Sequence, residues 1–195
     1  MSGVVVPVQA RGAARRQALL DATVRLLARD GARAVTHRAV AEEAGTTHGA
    51  PRYYFATRDE LLDCALRQLA ERQVQAVEDF LAQPRPADLD ALTAFVAGVA
   101  SSDRDGAIAR YELFLEASRR PSLRPALEAW SDAYIKLFAA ELTAGAEDPI
   151  TEAQLLLNLL NGLLLRQVAV PREDFEAAIL RPALARFLDS HRRVG

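Results

Sequence analysis

Eleven consecutive residues, Gly45 to Phe55 (GTTHGAPRYYF), concentrate the side chains best suited to recognition chemistry in this chain. Thr46 and Thr47 offer hydroxyls, His48 an imidazole, Arg52 a forked cation, and Tyr53 and Tyr54 phenolic hydroxyls. A short helix that begins at Thr47 as N-cap sets His48, Gly49 and Arg52 at i, i+1 and i+4 on its outer side, with Phe55 as an anchor into a core. Gly49 lets another molecule approach the backbone closely. Arg52 can pair in bidentate fashion with guanine or with a phosphate, and the Tyr53 and Tyr54 hydroxyls can each reach a phosphate. This set suits reading of an electronegative groove. With Thr47 as the cap, Pro51 falls at the fourth helical position. It then forfeits one terminal hydrogen bond rather than the roughly 3 kcal/mol of a mid-helix proline.

Charge supports the same direction. Residues 1–58 carry nine arginines against four acids, a net +5, while the remainder of the 195-residue chain carries −7. A basic head on an acidic body points to a head that meets a polyanion. Arg11, within the first dozen residues, and Arg15 and Arg16 just after them are placed to track a phosphate backbone from the flexible arm.

The elements that must position these residues read as helices throughout. Leu19, Leu20, Ala22, Val24, Leu26 and Leu27 give an apolar stripe across residues 13–29, stopped by Asp30-Gly31. Thr36 is the expected N-cap of a second helix, HRAVAEEA, that ends at Gly45. Two short helices and the one carrying Arg52, with a three-residue break before it, make a helix-turn-helix. A long helix is expected from Asp59 to the prolines at 84 and 86, then helices near 88–101, 104–119, 122–144, 150–169 and 173–191. Pro182 is expected to kink the last. The fold class is therefore all-α: a flexible arm over 1–12, a helix-turn-helix domain over 13–58, and a helical domain over 59–195.

Catalytic and metal chemistry find little support. His37, His48 and His191 are scattered, and no HExxH, phosphate loop or di-metal pattern is present. Cys64 is the sole cysteine, which excludes an intramolecular disulfide, fits a reducing cytoplasm and reads as a small buried hydrophobe. The longest apolar run, Leu155 to Leu165, is broken by Asn158, Asn161 and Gly162 and is too short for a bilayer span of about 20 residues. The expectation is a cytoplasmic protein that is not an enzyme and holds no cofactor, metal or membrane.

Residues 13–66 resemble the N-terminal domain of the TetR family of bacterial transcriptional repressors. The landmarks are the Leu-rich first helix ending at Gly31, the run from Thr36 through HRAVAEEAG to Thr46-Thr47-His48-Gly49, and YYF followed by TRDELL. Pro51 and Arg52 depart from the common pattern of an aliphatic and an aromatic residue there. The resemblance implies a homodimeric repressor of a palindromic DNA operator, released by a small-molecule inducer of apolar or amphipathic kind. It implies DNA contacts from Arg38, Thr47, His48, Gly49, Arg52 and Tyr53, with Tyr54 and Arg58 as phosphate clamps. The last two helices would form the dimer interface through Leu156, Leu160, Leu164, Leu180, Leu184 and Phe187. The inducer would lie among Phe95, Tyr111, Phe114, Trp130, Tyr134 and Asn158, with Glu112, Glu116 and Asp132 as nearby polar groups. The alternative is a dimeric helical ligand-binding or adaptor protein that has kept the head but no longer reads DNA. Salt-dependent binding to promoter DNA separates the two.

Overall fold

The computed structural model describes residues 8–84, 88–143 and 146–192, apart from the side chains of residues 8, 9, 100, 102, 191 and 192. The described residues form helices and turns, with no strand. Helix α1 spans Val8–Asp30, α2 His37–Glu43, α3 Ala50–Tyr54 and α4 Arg58–Leu81. Then come α5 (Leu89–Ser102), α6 (Arg104–Arg119), α7 (Arg124–Glu141), α8 (Pro149–Ala169) and α9 (Arg181–Arg192). Three-residue 3₁₀ turns precede α2 and α7.

Residues 8–12 of the expected arm are thus the first turn and more of α1, whereas residues 1–7 lie outside the described residues. Alanine and arginine are good helix formers, and α1 runs on through Gly12, the one poor helix former in residues 8–12. The start of α2 follows the expectation: the Thr36 hydroxyl accepts from the Ala39 N–H at 3.1 Å. Its end is a Schellman turn. The Thr46 N–H donates to the Ala41 carbonyl at 2.9 Å and the Gly45 N–H to the Glu42 carbonyl at 3.1 Å. Gly45 sits at φ +63°, where a glycine is needed.

Helix α4 opens with a reciprocal cap. The Thr57 hydroxyl accepts from the Glu60 N–H at 3.0 Å, and the Glu60 carboxylate accepts from the Ala56 N–H at 2.7 Å. At the C-terminal end, Pro182 lies in the first turn of α9 and the disturbance is displaced upstream. Residues Phe175–Leu180 form a π-helical turn, in which the Arg181 N–H donates to the Glu176 carbonyl five residues back.

One continuous core runs through the molecule. Leu19, Leu20, Leu27, Val40 and Phe55 from the head join Leu61, Leu62 and Leu66 of α4, Leu113 of α6 and Leu156 of α8, each fully buried. Helix α1 packs broadly along α6 as well as on α4, and α8 packs along α7.

Candidate nucleic-acid interface and core cavity

The recognition helix is short because its cap and its end are both close. Gly49, not Thr47, is the N-cap, so Pro51 occupies the second helical position. The Thr47 carbonyl instead closes the preceding turn by accepting from the Ala50 N–H at 2.9 Å. Pro51 therefore costs no intrahelical bond: its missing donor is one of the unsatisfied N-terminal set, and its fixed φ suits the first turn. This corrects the capping role expected of Thr47 and the position expected of the proline. Pro51 and Phe55 are the inward residues of α3, both buried.

Thr47, His48, Gly49, Arg52 and Tyr53 all lie on the solvent side, and Tyr53 is 83 % exposed. Tyr54 is half-buried and meets Tyr53 edge to face, ring centroids 4.9 Å apart. Between α3 and the start of α1 runs a groove of about 730 Å³ lined by Arg11, Arg15, Thr47, Gly49, Tyr53 and Tyr54, among others. Arg38 is exposed at the start of α2 and pairs with Glu42 one turn on, at 2.9 Å. That hydrogen bond holds the Glu42 carboxyl below its usual range, with desolvation opposing. Arg16 stands over the Phe55 ring, 5.3 Å from its centroid, and reaches Cys64 Sγ at 3.3 Å. Burial pushes the half-buried Cys64 thiol up, with Arg16 opposing, so the thiolate is disfavoured. His37 Nε2 donates to the Phe55 carbonyl at 2.9 Å and so ties α2 to the end of α3.

Arg58 is not at this surface. Its Nε donates to the Val35 carbonyl at 2.8 Å, one Nη to the Ala32 carbonyl, and the other approaches Glu116 at 3.6 Å. The expected phosphate clamp is a structural tie, because a long forked donor at the start of α4 lies beside two carbonyls of the 3₁₀ turn. Glu116, 7 % exposed, also takes Arg120 at 2.5 Å, and Arg120 pairs in turn with Asp59. Arg120, then Arg58, hold the Glu116 carboxyl below the usual range despite its burial. A second tie runs from Glu112, which accepts from the Ala32 N–H at 3.2 Å. Glu112 and Glu116 therefore fasten α6 to the head, and Asp132 is exposed; none of the three is among the residues that line the core cavity.

The cavity itself is enclosed by α4, α5, α6, α7 and α8. It measures about 50 Å³ and is lined by residues including Val77, Phe80, Phe95, Arg110, Tyr134, Phe138 and Asn161. Phe80 and Phe95 stack in its wall with centroids 4.3 Å apart. Of the expected lining residues, Phe95 and Tyr134 are present. Phe114 and Trp130 stand behind the wall. Successive ring contacts run from Tyr111 through Phe114 and Trp130 to Tyr134 and Phe138, with spacings between 5.8 and 6.5 Å. Tyr111 is likewise off the cavity: its hydroxyl donates to the Asn161 carbonyl at 2.9 Å and accepts from Arg110 at 2.8 Å. Asn158 is exposed on the opposite side of α8, and Asn161 takes the place expected of it. Arg110 escaped the sequence reading. Its spacing from Ala107, Leu113 and Ala117, all buried, was the available signal, since i−3, i+3 and i+7 share one helix face.

The expected dimer residues also point the other way. Leu156, Leu160, Leu164, Leu180 and Leu184 are buried in this chain's own core, and Phe187 packs partly buried against it. A helix apolar on every side conceals which stripe faces inward. On α8 the outward stripe is Leu155, Asn158, Leu159, Gly162 and Leu165, with Leu155 and Leu165 53 % and 47 % exposed. Among the described residues no helix is long and apolar enough to cross a membrane.

Comparison with known proteins agrees with this architecture. The sequence profile of "Bacterial regulatory proteins, tetR family" matches residues 19–73, and that of "Tetracyclin repressor-like, C-terminal domain" matches residues 84–190. The chain is similar to the HTH-type transcriptional regulator PksA of Bacillus subtilis (strain 168), 35 % identical over 74 residues, 38 % of this chain and 36 % of that protein. It is also similar to the HTH-type nicotine-responsive transcriptional repressor HdnoR of Paenarthrobacter nicotinovorans, 35 % identical over 63 residues, 32 % of each. These matches span about a third of each curated relative's length. Among solved structures, the multidrug binding protein EbrR complexed with imidazole is 32 % identical, with a TM-score of 0.72 over 94 % of this chain and 97 % of that one. A TetR-family member from Streptomyces coelicolor A3 is 32 % identical, TM-score 0.71, over 89 % and 97 %. With both halves of the chain matched and the helix-turn-helix in place, this protein belongs to the TetR family of bacterial transcriptional regulators.

Proposed function

We propose that this protein is a homodimeric repressor that reads a palindromic DNA operator through α3 and releases it when a small molecule fills the core cavity. The observation that carries this reading is the division of α3 into two sides. Pro51 and Phe55 fix it to the core, while His48, Gly49, Arg52 and Tyr53 face solvent beside the basic groove of Arg11 and Arg15. In this reading Arg52 and His48 meet base edges, while Arg38, Thr47, Tyr53, Tyr54 and the α1 arginines hold phosphates. Arg58 leaves the set.

Dimerisation is assigned to the outward stripe of α8, Leu155, Leu159 and Leu165, where Gly162 permits close approach of a partner helix. Two heads related by a twofold axis match half-sites one or more helical turns apart. The multidrug binding protein EbrR has been solved with ethidium and with proflavin, which supports a small-molecule ligand for this chain. A cavity of about 50 Å³ is far below the roughly 300 Å³ or more of a ligand site, so filling it must part the surrounding helices. Val77, Phe80 and Leu81 of α4 form part of its wall, and α4 begins at the head. A ligand that binds the parted state better shifts the population toward it, by its difference in affinity for the two states.

The test is selection of bound sequences from random duplex DNA, followed by a salt titration of the enriched site. A palindromic motif bound at submicromolar affinity, weakening steeply with salt, is the expected result. A folded dimer that enriches no motif overturns the DNA-reading assignment.

A further inference from the structure

Among the described residues of the cavity wall, Arg110 is the one whose buried polar atoms are left incompletely partnered. It is 5 % exposed, and Nε has no hydrogen-bond partner. Its other contacts are neutral: the Tyr111 hydroxyl at 2.8 Å, Gln73 Oε1 at a long 3.4 Å, and the Tyr111 ring, 4.7 Å from centroid to guanidinium carbon. Among the described residues no carboxylate pairs with it, and the cavity lining contains no Asp or Glu. Arginine is seldom buried this deeply without a counter-charge, because guanidinium stays charged and desolvation is costly. Tyr134 completes the polar corner. Burial pushes its hydroxyl up, with Trp130 and Arg110 opposing, so it remains a neutral hydrogen-bonding group.

We propose that the ligand of this cavity is an apolar carboxylate, its anionic head held by Arg110 and its hydrocarbon or aromatic body lying against the wall that includes the stacked Phe80–Phe95 pair and Phe138. The forked guanidinium, with Nε unpartnered, matches a two-oxygen acceptor. The remaining wall is aliphatic and aromatic, which supplies affinity but no head-group choice. The assignment rests on the ligand-cavity reading above and adds its charge preference. It also links the ligand to the head: Arg110 stands on α6 two residues before Glu112 and six before Glu116, the two groups that fasten α6 to the 3₁₀ turn and to Arg58.

A matched series tests it: decanoate, decanol and decylammonium, each below its micelle concentration, titrated into the full-length protein. Binding is read by calorimetry and by the fluorescence of Trp130, the only tryptophan, whose ring lies 6.3 Å from that of Tyr134. The expected result is decanoate binding at least about tenfold tighter than decylammonium. Arg110→Met should abolish that preference, and Arg110→Lys should retain it. The Lys variant keeps the test decisive if the Met variant fails to fold. Equal binding of all three, or a preference for decylammonium, overturns the carboxylate assignment and leaves the cavity reading intact. Absence of binding by every member overturns the cavity reading and the assignment with it.

Discussion

Glu116→Gln tests how the head is fastened to the body. The wild-type carboxylate is buried and holds Arg120 at 2.5 Å and Arg58 at 3.6 Å, with Arg119 farther off at 3.8 Å. Glutamine keeps the shape and one oxygen acceptor but removes the charge. Breaking a fully buried ion pair costs about 3–5 kcal/mol. Here the arginine partners keep part of their solvation, Arg58 retains the Val35 and Ala32 carbonyls, and Arg120 retains Asp59. Discounting for that, a loss of about 1–2 kcal/mol follows, or a midpoint lowered by about 3–6 °C in a chain of this size.

The pH dependence has a fixed sign. Arg120 and Arg58 hold the folded-state Glu116 carboxyl below its unfolded value near 4.3. Its contribution is therefore complete above that value and is lost as pH falls through the lower folded-state value. Urea unfolding of both proteins at pH 7 should show the difference, and a pH series below about 4 should show the two curves converging. Equal stability at pH 7, or a difference that does not change on acidification, would refute the reasoning.

Arg52→Ala should abolish specific operator binding while leaving the thermal midpoint and oligomeric state unchanged, as checked by fluorescence anisotropy and sedimentation, because the side chain is exposed. Gly45→Ala should cost about 1 kcal/mol in urea unfolding; φ is +63° and no atom would crowd the new methyl, so the loss is conformational alone. Leu165→Glu should give a monomer by sedimentation velocity, whereas Leu156→Ala, fully buried, should lose about 2–5 kcal/mol of stability instead.

What was legible in the sequence was local. The stop at Gly31, the Thr36 cap and the helix end at Gly45 are each set by residues within one helical turn of one another, and the structure has all three. The outward side of α3 was legible for the same reason. Thr47 was misread as a cap because Gly49, two residues on, serves equally well and leaves Pro51 without cost. Other misreadings needed tertiary information. Arg58 looked like a surface cation until the 3₁₀ turn placed two carbonyls beside it. Asn158 and Asn161 differ by three residues on a helix whose inward stripe the composition could not fix, and the same ambiguity inverted the leucines of α8. Arg110 was passed over because a charged residue is ordinarily solvent-facing, and only the burial of its helix neighbours marks it.

Helix α1 lies along both α4 and α6, and its leucines belong to the same core as those of α8. The head therefore shares its hydrophobic interior with the body, and residues 8–58 cut away on their own should be less stable than in the whole chain. Heat or urea should melt head and body in a single transition. Among the described residues the recognition helix is anchored through Phe55 in that shared core. In the proposed dimer, a small displacement of α4 deep in the core is delivered, magnified by the length of that helix, to the head at its far end and so to the spacing of the two heads.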